Sequence, residues 1–310
     1  MLKINNLTKN YGTFKAVDDL SLEIEEGEIF GFVGPNGAGK TTTMKMVATL
    51  LQATEGEIFI DGLDISKNIR AAREKIGYMP DFFGVYDNLK VDEYMEFYGD
   101  VAGLTKAEIL AVSDDLLDLV DLRSKKKSYV DSLSRGMKQR LCLARSLIHN
   151  PKLLILDEPA SGMDPRARVQ MKEILKELRS MGKTILISSH ILPELAEICT
   201  TIGIIEKGKI VIKGPVEEIV SKVSSGSNII KIKLIEESKN LIKLLEEDPL
   251  VGSIYEGGRT IEIDFKGSED EIVKLIKKLV NKDIPITSFN HIERNLEEIF
   301  MTVTKGGEEE

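Results

Sequence analysis

The segment Gly34-Pro35-Asn36-Gly37-Ala38-Gly39-Lys40-Thr41 constrains this chain more than any other feature. It follows an apolar run at 28–33 that reads as a strand and leads into residues 40–51, which read as a helix. Its glycines let successive backbone amides turn inward around phosphate oxygens, and the amino end of the following helix favours negative charge there. In such a unit Lys40 reaches the β- and γ-phosphates of a nucleotide, and the Thr41 hydroxyl can ligate Mg²⁺. Thr42 completes the stretch expected to surround the phosphates. A loop of this kind presupposes an α/β sheet whose strands end at a shared edge.

The rest of the first 220 residues agrees. Apolar runs at 56–60, 153–156, 184–188 and 202–206 alternate with helical patterns, as in a largely parallel sheet flanked by helices. Between Pro80 and Asn150 helical periodicity takes over, and Thr105 with Glu108 forms a capping box, so a helical insert over about 81–150 interrupts the α/β domain.

A second half of a nucleotide site follows from Leu153-Leu154-Ile155-Leu156-Asp157-Glu158. An apolar strand that ends in two acids brings Asp157 to the carboxyl edge of the sheet, where it can serve as an oxygen ligand for Mg²⁺. Glu158 is then free to orient or deprotonate a water. His190, after the run 184–187 and two serines, brings an imidazole to the same edge, where it can hold the γ-phosphate or the attacking water. His149 and His291 have no such setting and read as structural.

Composition narrows the function classes. Of 310 residues, 42 are Lys or Arg and 51 are Asp or Glu, a formal net charge of −9. A broad basic surface for nucleic acid is therefore not expected. Cys142 and Cys199 are too few for a disulfide framework or a cysteine metal site, which fits a reducing compartment. No apolar run approaches the roughly 20 residues that span a bilayer, and residues 1–9 do not read as a signal peptide, so a membrane role would come through a partner.

After Val220 the pattern changes. Residues 221–227 are rich in Ser and Gly and read as a linker. Ile230, Ile232 and Leu234 alternate with lysines, and Ile261, Ile263 and Phe265 alternate with acids, giving two half-buried strands. Ser268 and Glu271 cap a helix with the apolar stripe Ile272, Leu275, Ile276 and Leu279. The expected order is β, α, β, β, α, β, with a closing helix at 294–303: a small α+β sandwich over 228–304, then a frayed tail at 305–310.

The segment Leu133-Ser134-Arg135-Gly136-Met137-Lys138-Gln139-Arg140 resembles the signature motif of ATP-binding-cassette (ABC) ATPases, and it lies between the phosphate loop and the Asp157-Glu158 strand as in that family. The resemblance covers residues 1 to about 220. It implies a P-loop NTPase cassette that binds ATP and Mg²⁺ and pairs head to tail with a second copy of itself. Ser134, with the amides around Gly136, would then close over the ATP held by Lys40 of the other copy. It implies further that Tyr11 stacks on adenine, although a strand aromatic that merely packs has the same sequence pattern. Ser161-Gly162-Met163-Asp164 would be the dimer-contact loop, with Asp164 and Pro165 also suiting a helix start; His190 would be the switch histidine and Glu158 the group acting on water. Three departures stand out. Arg135-Gly136 replaces a glycine pair, Met137 replaces a glutamine, and Asp81 stands where a Mg²⁺-sensing glutamine is usual, adding negative charge. Residues 228–304 resemble the accessory domain of exporter ATPases of the daunorubicin-resistance and sodium-efflux type, with 295–300 as the closing motif. The resemblance thus implies an exporter ATPase at the cytoplasmic face of the membrane, bound to a separate membrane-spanning permease. The rival is a soluble ABC-type ATPase acting on ribosomes or DNA, which the single phosphate loop, the lack of a long heptad run and the acidic balance count against.

Overall fold

The computed structural model describes residues 1–82, 84, 86, 88–219, 228–236, 239–282 and 284–292. The chain divides into two compact units, Met1–Val216 and Glu217–Glu310.

The first unit holds two sheets. One has four antiparallel strands in the order β2-β1-β4-β5: β1 (Leu2–Tyr11), β2 (Phe14–Ile24), β4 (Glu55–Ile60) and β5 (Leu63–Asp64). The other has six strands in the order β10-β9-β3-β8-β7-β6: β3 (Ile29–Val33), β6 (Ile76–Met79), β7 (Leu153–Leu156), β8 (Thr184–Ser189), β9 (Thr201–Glu206) and β10 (Lys209–Pro215). Only in this second sheet does the expected parallel pattern hold, and its edge strand β10 runs antiparallel to β9. The run at 56–60, expected in the parallel series, belongs instead to the antiparallel sheet. Every residue of β3, β7 and β8 is buried, which is why these strands read as unbroken apolar runs. One apolar cluster joins both sheets, with Leu2, Leu22 and Ile24 of the first and Phe30, Phe32 and Ile155 of the second around Met44 and Met46.

Met44 and Met46 belong to α1 (Lys40–Val47), which is shorter than the expected 40–51. The helix ends because Thr49 takes a left-handed φ of 60°, after which Leu50 and Leu51 both donate to the Lys45 carbonyl. After α2 (Ile69–Glu74) and β6, the elements up to β7 are helical: α3 (Val91–Val101), α4 (Lys106–Leu119) and α5 (Arg135–Leu147), joined by short 3₁₀ turns. The Thr105–Glu108 capping box opens α4, with the Thr105 amide donating to Glu108 at 2.8 Å. His149 is structural, its Nε2 lying 2.9 Å from the Ile76 carbonyl. The helices α6 (Pro165–Ser180) and α7 (Leu192–Ala196) also belong to this unit, and a further helical stretch begins at Val216.

The second unit follows the expected β, α, β, β, α, β order: β11 (Asn228–Leu234), α8 (Lys239–Glu246), β12 (Val251–Gly257), β13 (Thr260–Phe265), α9 (Glu269–Val280) and β14 (Ile286–Ile292). Its strands pair antiparallel in the order β12-β13-β11-β14, the split-βαβ arrangement. Ile230, Ile232, Ile261, Ile263 and Phe265 pack with Ile272, Leu275 and Leu279 of α9 in a separate core. The linker at 221–227, the closing helix at 294–303, its motif at 295–300 and the tail at 305–310 lie outside the described residues.

In the middle of β6, an added Cβ on Gly77 would sit 2.3 Å from the Ser146 carbonyl oxygen of α5. Backbone meets backbone there, so neither side can swing away. Gly77→Ala is expected to cost about 1–3 kcal/mol, the usual range for overpacking, seen as a lower thermal midpoint for the first unit in calorimetry. An unchanged midpoint would mean that this helix can drift off the sheet freely.

Candidate functional site

Three adjacent parallel strands end together. Val33 of β3 pairs with Ser189 of β8, and Leu156 of β7 pairs with Ile187 of β8. The next residues in each chain segment, Gly34, His190 and Asp157, are therefore delivered to one edge. A cleft of about 380 Å³ opens there, lined by residues 35–42 together with Tyr11, Asp81, Glu158 and His190.

The loop between β3 and α1 needs glycine at two positions, where it packs against neighbouring backbone. Gly39 takes φ of 107°, and a Cβ there would lie 2.6 Å from the Ala16 carbonyl oxygen; one on Gly34 would lie 2.4 Å from the Ile205 carbonyl oxygen. The loop is also pinned from behind, since the Gly208 amide donates to the Ala38 carbonyl at 2.9 Å. Lys40 is 5% exposed. Its ammonium donates to the carbonyls of Gly34 at 2.6 Å and Pro35 at 3.2 Å and stands 3.8 Å from Glu158 Oε1. Burial pulls its pKa below the usual lysine value, while the charges of Glu158, Asp157 and Asp81 oppose that shift. A buried cation at the mouth of a helix amino terminus is a complementary surface for phosphate.

Asp157 is buried and Glu158 follows it with a left-handed φ of 50°. That backbone turn sends the two carboxylates different ways. Ser188 ties them together: its hydroxyl donates to Asp157 Oδ1 at 2.7 Å and accepts from the Glu158 amide at 2.9 Å. His190 Nδ1 lies 2.9 Å from Glu158 Oε2, so the carboxylate is shared between the imidazole and Lys40.

Oxygen donors of the kind Mg²⁺ takes are the Thr41 hydroxyl and the Asp81 carboxylate, which line the cleft, and the Asp157 carboxylate, which is buried and does not line it. Among the described residues no group of three or more His, Cys, Asp or Glu side chains forms a ready-made cage. A cation held partly by phosphate oxygens needs none. Tyr11 is half exposed and lines the cleft instead of packing in the core, with Lys9 Nζ 5.4 Å from its ring centre.

Ser134, Gly136 and Asp164 stand outside this lining. Ser134 caps α5, accepting from the Met137 amide at 3.3 Å, and Asp164 caps α6, accepting from the Ala167 amide at 3.0 Å. Gly136 faces Ala167, 3.0 Å from where its Cβ would be. Ser134 and Asp164 are exposed at the starts of two helices, while Gly136 is buried against the helix that carries Ala167.

Three residues of the site, Phe14, Ala16 and Ser188, escaped the sequence reading, and Ser161 figures in it only as part of a dimer-contact loop. Phe14 and Ala16 line the cleft beside Tyr11, as does Ser161, and Ser188 couples the two acids. Phe14 had a signal, because it pairs with Tyr11 across the two-residue turn Gly12-Thr13. Ser188 had none, since it is one of two serines at a strand end.

Comparison with known proteins bears on this geometry. A family model described as ABC transporter matches residues 17–161, which include the phosphate loop, Ser134, Asp157 and Glu158. A second, for the C-terminal domain of DrrA1-3-like ATP-binding proteins, matches residues 214–304. The linearmycin resistance ATP-binding protein of Bacillus subtilis is 31% identical over 98% of each chain. The bacitracin transport ATP-binding protein of Bacillus licheniformis is 34% identical over 99% of this chain and 98% of that one. Among solved structures, a dimeric ATP-binding cassette in a post-hydrolysis state with ADP and phosphate has a TM-score of 0.64 and 25% identity, covering 70% of this chain and 99% of its own. Among the described residues no helix is long and apolar enough to cross a membrane.

Ser188→Ala leaves the Glu158 amide and one Asp157 oxygen without their partner at a buried point. The expected loss is about 1–3 kcal/mol of stability, the cost of stranding buried polar groups, read from denaturant midpoints. Ser188→Thr, which keeps the hydroxyl, is expected to retain most of it.

Proposed function

Because the chain belongs to the ATP-binding subunits of ABC transporters and is an ATPase of that family, we propose that it powers an exporter whose membrane-spanning part is a separate polypeptide at the cytoplasmic face of the membrane. The observation that carries the catalytic half of this reading is the meeting of Lys40, Glu158 and His190 at one sheet edge, within 2.9 and 3.8 Å contacts. The export half is supported by the relatives named for linearmycin resistance and bacitracin transport and by the match of residues 214–304 to the DrrA1-3-like C-terminal domain.

On this reading residues 1–220 are the nucleotide unit, with the helical insert at about 81–150, and 228–304 the accessory unit. The backbone N–H groups between residues 36 and 42 and the Lys40 ammonium cradle the phosphates of ATP, and Tyr11 stacks on its base. Thr41, Asp157 and Asp81 are the residues that would hold Mg²⁺, which when bound offsets the charge on the phosphate oxygens. Lys40 exchanges its contact with Glu158 for the phosphates. The freed Glu158 carboxylate orients the attacking water and draws off its proton, while His190 fixes the carboxylate from the other side. Two copies pair so that Ser134, Gly136 and Asp164 of one face the nucleotide of the other. The open amides at the start of α5 supply donors to the γ-phosphate.

Glu158→Gln removes the proton acceptor and keeps the shape. It is expected to bind MgATP at near-parental affinity, to hydrolyse it at least about 100-fold more slowly, as loss of a general base does, and to accumulate as a dimer in light scattering with ATP. Hydrolysis at the parental rate would reject the role given to Glu158. Lys40→Ala is expected to lose most ATP affinity in direct titration, and affinity within about twofold of the parent would reject the cradle.

A further inference from the structure

Arg135 is an exposed cation in the first turn of α5. A positive charge there is disfavoured by the helix dipole, so its conformation calls for another cause. Among the described residues it has no carboxylate partner. Its guanidinium instead lies against Gly162. The Cζ, Nη1 and Nη2 atoms of Arg135 stand 2.3, 2.4 and 2.5 Å from the position a Gly162 Cβ would take, nearly equal distances, so the flat group lies broadside across that glycine. Gly162 itself has φ of 65°. Backbone conformation and the overlying guanidinium both call for glycine at this position.

One turn along the same face of α5, Gln139 donates to the Ser161 carbonyl at 3.2 Å. Residues four apart on a helix share a face, so one face of α5 grips two successive residues of the 158–164 loop. The ends of that loop are fixed separately. Ser188 holds the Glu158 amide at 2.9 Å, and Asp164 caps α6. Within the loop the Ser161 amide donates back to the Glu158 carbonyl at 3.0 Å. The start of α5 is thereby linked by a chain of contacts through Gly162 and Ser161 to Glu158.

We infer that Arg135 is a positioning residue which, through its planar contact with Gly162, sets the placement of the Glu158 carboxylate in its own chain's cleft. Building on the proposed dimer, this links closure of α5 over the nucleotide of one copy to the alignment of Glu158 over the nucleotide of the other. The contact depends on a flat side chain, which lysine does not provide even though it keeps the charge.

The test compares Arg135→Ala and Arg135→Lys in the full-length chain, with steady-state ATP hydrolysis and with ATP-dependent dimerisation measured in the Glu158→Gln background. Arg135 is exposed, and a thermal scan verifies folding of each variant. A misaligned catalytic group lowers turnover more than affinity, so both variants are expected to lose about tenfold or more in kcat with KM within about twofold. Dimerisation with ATP is expected to persist. Parental kcat in Arg135→Ala overturns the inference. So does a raised KM with unchanged kcat, or rescue by Arg135→Lys, since either marks a charge acting on phosphate directly. So does loss of the dimer on adding Arg135→Ala to a Glu158→Gln protein that otherwise dimerises. Failure of Glu158→Gln alone to dimerise tells against the proposed pairing and leaves the contact within one chain to be judged by kcat.

Discussion

A lysine ammonium held away from water at the end of a strand sets the terms for everything around it. Lys40 is buried, and desolvation of its charged form is offset by two backbone carbonyls and the facing acids. Those acids are fixed in turn by Ser188, so cation, carboxylates and hydroxyl form one connected unit. Such a unit is costly to keep waiting. On the proposed function its balance improves when a polyanion enters, because the phosphates would take over the ammonium and release Glu158 for another partner.

The geometry depends on strand order more than on any single contact. Chain order would put β7 beside β6 and β8, and it is the insertion of β3 between β8 and β9 that brings the phosphate loop next to the two acids. The left-handed turn at Glu158 then separates the acids, leaving Asp157 buried against β8 while Glu158 faces Lys40. The strain of that turn is borne by the Ser188 hydroxyl and the capped start of α6.

Legibility followed periodicity. The fully buried strands β3, β7 and β8 stood out as apolar runs, and the lone βαββαβ order of the second unit was readable from alternation and one capping box. The antiparallel sheet was not. Register shifts break the pairing of β1 with β2 at three places and with β4 at another, so the alternation of buried and exposed residues slips out of phase. β6, only four residues long and containing Gly77, carries too little signal to stand out. At the site, Lys40, Asp157, Glu158 and His190 were found because motif chemistry puts them at strand ends. Ser188 and the Arg135–Gly162 contact were hidden because they join segments 31 and 27 residues apart, a relation that spacing alone cannot express.

The donor set also dictates how metal and nucleotide depend on each other. Mg²⁺ prefers six oxygen ligands in near-octahedral array and gives up water reluctantly. On the proposed assignment the chain offers one hydroxyl and two carboxylates, and Asp157 already spends one oxygen on Ser188. Protein donors alone therefore hold the ion weakly, and phosphate oxygens with water must complete its shell. By linkage, whatever the ion adds to nucleotide affinity the nucleotide adds to ion affinity. Asp81 sharpens this dependence: a carboxylate beside Asp157 and Glu158 raises the negative charge that an incoming triphosphate meets, so the nucleotide is better received with its cation than without it.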